Sequence, residues 1–196
     1  KALTQIQTSQ KINQTNLNEA DVISIYKETG KTCVQVFFFR SKQNWGNQAF
    51  YPEHDTDDTV EDILSSFITQ FYENKTVPSL IITKYLTKDR KLLEKTFSKK
   101  EGKEVLVKVA KSKNEKSVSK LAEKNAKQAL KQKLIQSDTN NNLIESLASK
   151  FNLNSNIDLI EVYDNSHIQG ADSIGALICF GNEGFEKKRY RKFNIK

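Results

Sequence analysis

Apolar and polar positions alternate through Asp21–Glu28 (DVISIYKE), and Lys31–Arg40 (KTCVQVFFFR) is a β-branched and aromatic run. Two strands joined by a turn at Thr29-Gly30 are predicted. A second turn over Ser41–Gly46 leads to a shorter strand, Asn47–Pro52 (NQAFYP), and completes an antiparallel meander. The period then changes. Val60, Ile63, Leu64, Phe67, Ile68, Phe71 and Tyr72 recur at three- and four-residue steps, one face of a helix. Thr59 with Asp62 three residues on resembles a capping box at its start. Beyond Pro78 follow a short strand (Ser79–Thr83), a helix (Lys88–Ser98), a strand (Glu104–Val109) and a long helix (Lys116–Ile135), whose inner face carries Val118, Leu121, Ala122, Ala126, Ala129, Leu130 and Leu134.

The order βββαβαβα predicts an α/β layer fold, a meander edge followed by parallel strands covered by helices. It is the order of the ribonuclease H-like fold, a likeness of fold that does not by itself carry a chemistry. Ser137–Asn142 (SDTNNN) reads as a linker and Leu143–Phe151 as a short helix. The opening pattern then returns. Ile157–Asp164 (IDLIEVYD) matches Ala20–Lys27 (ADVISIYK) at constant spacing, Asp21 with Asp158 and Tyr26 with Tyr163, and a second strand (Ser173–Phe180), a turn (Gly181–Gly184) and a third strand follow. Two copies of one meander are predicted: residues 17–136 as a complete domain, 137–156 as linker and short helix, and 157–196 as the opening of a second domain. Residues 1–16, polar and starting mid-pattern, read as the tail of an upstream segment.

At the strand end the second copy has Asp164 where the first has Lys27. In ribonuclease H-like nucleases the first strand supplies an aspartate that ligates divalent metal. A lysine repels such an ion, so the first copy is expected to be catalytically silent. The second supplies one carboxylate, which does not make a two-metal site, and the chain alone is not expected to cut DNA.

Composition adds exclusions. Of 196 residues, 31 are Lys or Arg and 24 Asp or Glu, for a net charge of +7, and 37% are hydrophobic. No apolar run nears the 18 or so residues of a membrane span, and KALTQIQTSQ has no signal-peptide core. Cys33 and Cys179 lie in apolar runs without metal-like spacing and read as reduced core residues of a cytosolic protein. The positive balance invites a polyanion without establishing one.

Val162–Gly170 (VYDNSHIQG) and Tyr190–Lys196 (YRKFNIK) resemble the endonuclease region of the C-subunit family of UvrABC excinucleases. CVQVFFFR, FITQFYENKTVP and LAEKNAKQAL resemble upstream blocks of that family in the same order. The resemblance implies nucleotide excision repair of damaged double-stranded DNA and incision on both sides of a lesion. It also implies the B subunit, UvrB, as partner in the incision complex, with residues 1–12 as the tail of the docking motif. The ribonuclease H-like domain would make the 5′ cut with Mg²⁺ or Mn²⁺, and Asp164 matches the first catalytic, metal-binding aspartate. Two departures leave that carboxylate untouched: KVAKSKNEKS precedes the long helix where a Pro/Gly-containing segment is usual, and Asn165 replaces an aliphatic residue. A non-catalytic module that positions DNA or partner subunits is the alternative function.

Other residues weigh less. His167 reads as a turn or supporting hydrogen-bond residue rather than a ligand, and Ser166 has no base partner. His54 reads as plain surface. The acidic run Glu53–Asp62 reads as helix-start capping rather than a metal site. Lys187, Lys188, Arg189, Arg191 and Lys192 are candidate DNA phosphate contacts on the last strand, against a solvated edge. Lys120, Lys124, Lys127 and Lys131 of the long helix read as a solubilising face.

Overall fold

The computed structural model describes residues 17–153, 157–168 and 171–195. They form two compact units, the first ending at Leu130 and the second beginning at Lys131.

In the first unit, β1 (Glu19–Glu28), β2 (Lys31–Arg40) and β3 (Gln43–Phe50) form the antiparallel meander, and β4 (Leu80–Thr83) and β5 (Leu106–Val109) add in parallel, giving the order β3-β2-β1-β4-β5. Helices α1 (Val60–Phe71) and α2 (Arg90–Glu101) cover one face. There Ile23, Ile25, Val34 and Val36 of the sheet meet Leu64, Phe67, Ile68, Phe71, Leu93 and Phe97. On the opposite face Ala20, Val22, Phe37, Phe39 and Ile82 meet Val118 and Ala122 of α3 (Lys113–Lys150). The alternation in β1 thus feeds two cores, and each fully buried Ile or Phe contributes about 1.5–3 kcal/mol.

Three local expectations change. The third strand begins at Gln43 instead of Asn47, because Ser41 and Lys42 both take positive φ and make a two-residue hairpin. Gly46 (φ 119) lies at a register shift opposite Phe38, a bulge inside β3 rather than a turn end. The segment Ser137–Asn142, expected as a linker, is helical within α3, and the boundary between units falls before it. Its propensity is poor, but Thr139 bonds back to the Ile135 carbonyl (2.8 Å), Ser146 to that of Asn142 (2.8 Å), and Asn140 and Ile144 are buried. Packing and back-bonded side chains override propensity. Asn152 (φ 55) ends the helix, with the Leu153 N–H on the Ala148 carbonyl at 2.9 Å.

The start of α3 carries a capping box inside KVAKSKNEKS. The Ser112 hydroxyl accepts from the Glu115 N–H (3.2 Å), and the Glu115 carboxylate accepts from the Lys111 N–H (2.8 Å), the Ser112 N–H (3.2 Å) and the Lys108 ammonium (2.9 Å). This is the Ser-x-x-Glu reciprocity in place of a Pro/Gly helix start. Burial works to raise the Glu115 carboxyl, but those donors outweigh it and hold it below its usual range. Glu115→Ala is expected to cost about 1–2 kcal/mol in urea denaturation at pH 7. A depressed folded carboxyl stabilises above its unfolded pKa, about 4.3, and that stability is lost as pH falls through the lower folded value. The gap between parent and variant therefore narrows at pH 3.

In the second unit, β6 (Leu159–Ile168) and β7 (Ala171–Gly181) form a long antiparallel hairpin, with β8 (Gly184–Phe185) and β9 (Arg191–Asn194) both pairing β7. The later part of α3 belongs to this unit, where the Asn140 amide donates to the Asn182 carbonyl (3.3 Å) and Lys133 pairs with Glu183 (2.8 Å). Cys33 and Cys179 are buried and form no disulfide. Among the described residues no helix is long and apolar enough to cross a membrane.

Candidate active site

Asp164 is expected at a strand end. It lies instead inside β6, paired with Ala176 of β7, with Asn165, Ser166, His167 and Ile168 still to follow in the strand. β6 runs four residues beyond Asp164, whereas in β1 only Glu28 follows Lys27. The aspartate is therefore held by ladder hydrogen bonds on both sides rather than by a turn. Its side chain is exposed and has no hydrogen bond or ion pair among the described residues.

Ala176 also pairs with Lys192 of β9. Residues directly opposite one another share a sheet face, so Asp164 and Lys192 flank Ala176 on one face, about 10 Å apart as two strand spacings. The next ladder position on the other face packs differently. A Cβ on Gly175 would lie 3.1 Å from the Asn165 Oδ1, so the missing side chain is what gives Asn165 its room. Tyr163 on that face donates to Glu161 (3.1 Å), and that carboxylate pushes the Tyr163 phenol up.

His167 lies in β6 and not in a turn, and its side chain falls outside the described residues, as do Gln169 and Gly170. The basic stretch is not one strand. Lys187–Arg189 form a 3-10 turn, and only Arg191 and Lys192 belong to β9. A short turn folds here because the Arg189 N–H bonds to the Glu186 carbonyl (2.9 Å) and the Arg189 side chain pairs with Glu186 (3.5 Å). The Arg191 guanidinium donates to the carbonyls of Lys188 (3.0 Å) and Tyr190 (2.8 Å). Both arginines are thus engaged locally. Lys187, Lys188 and Lys192 have no partner among the described residues, and of these Lys192 is the one on the face of Asp164.

Among the described residues no group of three or more His, Cys, Asp or Glu is placed to hold a metal ion. Mg²⁺ and Mn²⁺ take about six oxygen ligands. Asp164 supplies one carboxylate, so the described residues alone do not fit a complete metal centre.

The matching place in the first unit is built differently. The Lys27 ammonium donates to the carbonyls of Asp58 (2.8 Å) and Thr56 (3.1 Å) and clamps the loop that enters α1. Thr59 caps that helix, its hydroxyl accepting from the Asp62 N–H at 3.2 Å, and Asp62 also pairs with Lys88 at 2.9 Å. The acidic run is spent on capping and surface pairing. His54 is not plain surface: it is half-buried, with Nε2 2.7 Å from the Thr32 hydroxyl and Nδ1 2.8 Å from the Asp55 carbonyl. A carbonyl only accepts, so Nδ1 carries a proton, and Nε2 shares the second hydrogen bond with the Thr32 hydroxyl. Lys27→Met is expected to cost about 1 kcal/mol, and Lys27→Asp about 2–3 kcal/mol because it sets a carboxylate against the same carbonyls, both read by urea denaturation.

The sequence reading missed one buried polar network. Asp21, almost fully buried in β1, pairs with Arg40 of β2 (2.6 Å) and accepts from the Tyr72 hydroxyl (2.6 Å). Burial and the adjacent Asp21 carboxylate push the Tyr72 phenol well up, so it stays a donor. A charged residue inside an alternating strand, diagonal to an arginine at the open end of the hairpin, was the available signal.

Two family models match the chain: the UvrC ribonuclease H-like domain over residues 19–133 and the UvrC RNase H endonuclease domain over residues 148–196. The chain belongs to the UvrC ribonuclease H-like family. The fold is accordingly ribonuclease H-like, with the β3-β2-β1-β4-β5 sheet as its core. Similar relatives are the UvrABC system protein C of Chelativorans sp. (strain BNC1), 44% identical over all of this chain and 30% of the relative, and that of Nitrobacter winogradskyi, 44% identical over all of this chain and 28% of the relative. The UvrABC system protein C of Zymomonas mobilis is 41% identical, again over the whole chain and 30% of the relative. The chain thus spans less than a third of the length of the UvrC relatives it matches. A Bacteroides thetaiotaomicron structure with an actin-like ATPase fold aligns at 14% identity and a TM-score of 0.20, which carries no argument.

Proposed function

We propose that this chain is part of the C subunit of a cytoplasmic nucleotide excision repair endonuclease that incises damaged double-stranded DNA on both sides of a lesion. In this reading the second unit belongs to the domain that cuts on the 5′ side, and UvrB is the partner in the incision complex. The observation that carries it is Asp164: an exposed carboxylate, unpaired among the described residues, in the interior of β6, within the segment similar to the endonuclease domain, at the repeat position where the first unit has Lys27.

Asp164 would be one of the residues that hold Mg²⁺ or Mn²⁺, an ion that would supply Lewis-acid chemistry for phosphodiester hydrolysis. Lys192, on the same face, would meet a strand phosphate near that carboxylate, with Lys187 and Lys188 adding charge at the adjoining turn. One carboxylate does not complete the centre, so the chain by itself would not hydrolyse DNA. The positioning-module reading applies to the first unit, where Lys27 replaces the carboxylate and serves the fold. The test is incision of a lesion-bearing duplex by the full-length protein with UvrB, scoring the 5′ and 3′ cuts separately. Loss of the 5′ cut in Asp164→Ala supports the reading, and metal-dependent 5′ incision that persists undiminished overturns it.

A further inference from the structure

In the first unit acidic side chains gather at the entry to α1, and lysines line up along α3 on the other side of the sheet. On the α1 side, the loop and helix start carry Glu53, Asp55, Asp57, Asp58, Glu61 and Asp62, the first three exposed and the others half-buried. That corner, which includes the Lys27 position, repels a polyanion. On the other side, α3 buries Val118, Ala122, Ala126 and Leu130 and turns its opposite surface to solvent. Lys113, Lys116, Lys120, Lys124 and Lys127 all lie on that outer surface, and all are exposed. Their steps of three and four residues keep them within a narrow arc over about 21 Å of helix.

A solubilising helix face ordinarily mixes signs through i,i+4 pairs of acid and base. This one does not. The two acids of α3 within the first unit, Glu115 and Glu123, are taken by Lys108 (2.9 Å) and Lys84 (2.6 Å), which lie outside the stripe. Lys127 sits 5.2 Å from the Tyr26 ring centroid, and the other four lysines have no partner among the described residues. Like charges stacked at i,i+4 oppose helix formation, so the stripe carries a cost that a polyanion would relieve. The α2 helix carries a shorter run of this kind, Lys91, Lys95 and Lys99, beside its Arg90–Glu94 pair (3.1 Å), so the α3 stripe is set apart by its length and by lying on the other side of the sheet. Acidic protein surfaces are usually gripped with aromatic or apolar anchors among the charges, whereas the stripe is interspersed with Ser117 and Gln128. Flexible point charges without anchors suit the regular phosphate lattice of duplex DNA, one charge about every 1.7 Å of axis.

We infer that the catalytically silent unit holds the phosphate backbone of double-stranded DNA along the outer face of α3, through Lys113, Lys116, Lys120, Lys124 and Lys127, without reading sequence. This rests on the proposed action on DNA and adds where the non-catalytic unit touches it. The decisive measurement is fluorescence anisotropy of this chain with a 30-base-pair duplex across a salt series. The stripe variant Lys116→Gln, Lys120→Gln, Lys124→Gln is compared with a charge-matched control on α2, Lys91→Gln, Lys95→Gln, Lys99→Gln. Glutamine keeps helix propensity, and circular dichroism checks that helix content is unchanged. The stripe variant is expected to bind at least about 10-fold more weakly at 50 mM salt, with the slope of log affinity on log salt reduced by about 2–3, and the control to change less than about threefold. Equal losses in both variants, an unaffected stripe variant, no duplex binding by the parent chain, or stronger binding of polyglutamate than of duplex each overturn the inference. None of these outcomes bears on Asp164, whose role is read from 5′ incision by the full-length protein.

Discussion

Asp164→Asn in the full-length protein is expected to lower the rate of 5′ incision by at least about 100-fold, with the 3′ cut and thermal stability unchanged. Asparagine keeps the shape and one acceptor oxygen but removes the negative charge, and hard divalent ions discriminate strongly in favour of carboxylate oxygen. The stability half of the expectation follows from exposure. Asp164 has no hydrogen bond or ion pair among the described residues, and substitutions of that kind usually change folding free energy by no more than about 0.5 kcal/mol. An incision assay that scores both cuts, beside a thermal melt, separates the cases. Concurrent loss of both cuts with a lowered melting point would mark Asp164 as structural. Loss of the 5′ cut alone marks it as part of the chemistry.

Arg40→Leu is expected to destabilise the first unit by about 3 kcal/mol or more, the largest stability effect foreseen for a single change. The Asp21 side chain is only 2% exposed, and Arg40 at 2.6 Å is its counter-charge. Removing the arginine leaves a buried carboxylate with the Tyr72 hydroxyl as its remaining side-chain partner, and breaking a buried pair from one side costs about 3–5 kcal/mol. Arg40 retains 28% exposure, which places the value toward the lower end because water reaches the pair from that side. The same arginine also donates to the carbonyls of Phe39 (2.8 Å) and Ala20 (3.3 Å), and those bonds go with it. The double variant Asp21→Leu, Arg40→Leu is expected to recover much of the loss, since a buried ion pair exchanged for apolar packing is often neutral. Urea denaturation of the single and double variants measures the coupling directly, and additive losses would show that the two charges stabilise the fold independently.

Much of the fold was legible because hydrophobic period and capping chemistry are local signals. The seven-residue apolar face from Val60 to Tyr72 and the Thr59 cap located α1 to within a residue of its observed ends. The meander was clear from alternation in Asp21–Glu28 and the aromatic run after Lys31. What failed was what local composition cannot weigh. Ser41-Lys42 carries no glycine or asparagine, yet both residues take positive φ because the flanking strands pair across them. SDTNNN has loop composition, yet buried Asn140 and Ile144 and back-bonded Thr139 and Ser146 keep it helical. Asp164 is a candidate by its repeat position, while its distance from the hairpin end and its shared face with Lys192 depend on a β6–β7 register that eight matching residues do not fix.

The sequence by itself determined the element order, the twofold meander, the exchange of Lys27 for Asp164 and the resemblance to an excinuclease subunit, because each is written in neighbouring residues. The tertiary structure decided which polar groups are spent inside the protein and which are left for something outside it. Lys27 is used on two carbonyls, Arg40 on Asp21, and Arg189 and Arg191 on their own turn. Asp164, Lys192 and four lysines of the α3 stripe have no partner among the described residues. A side chain's charge is fixed by its identity, but whether that charge is already compensated depends on groups brought together from distant parts of the chain.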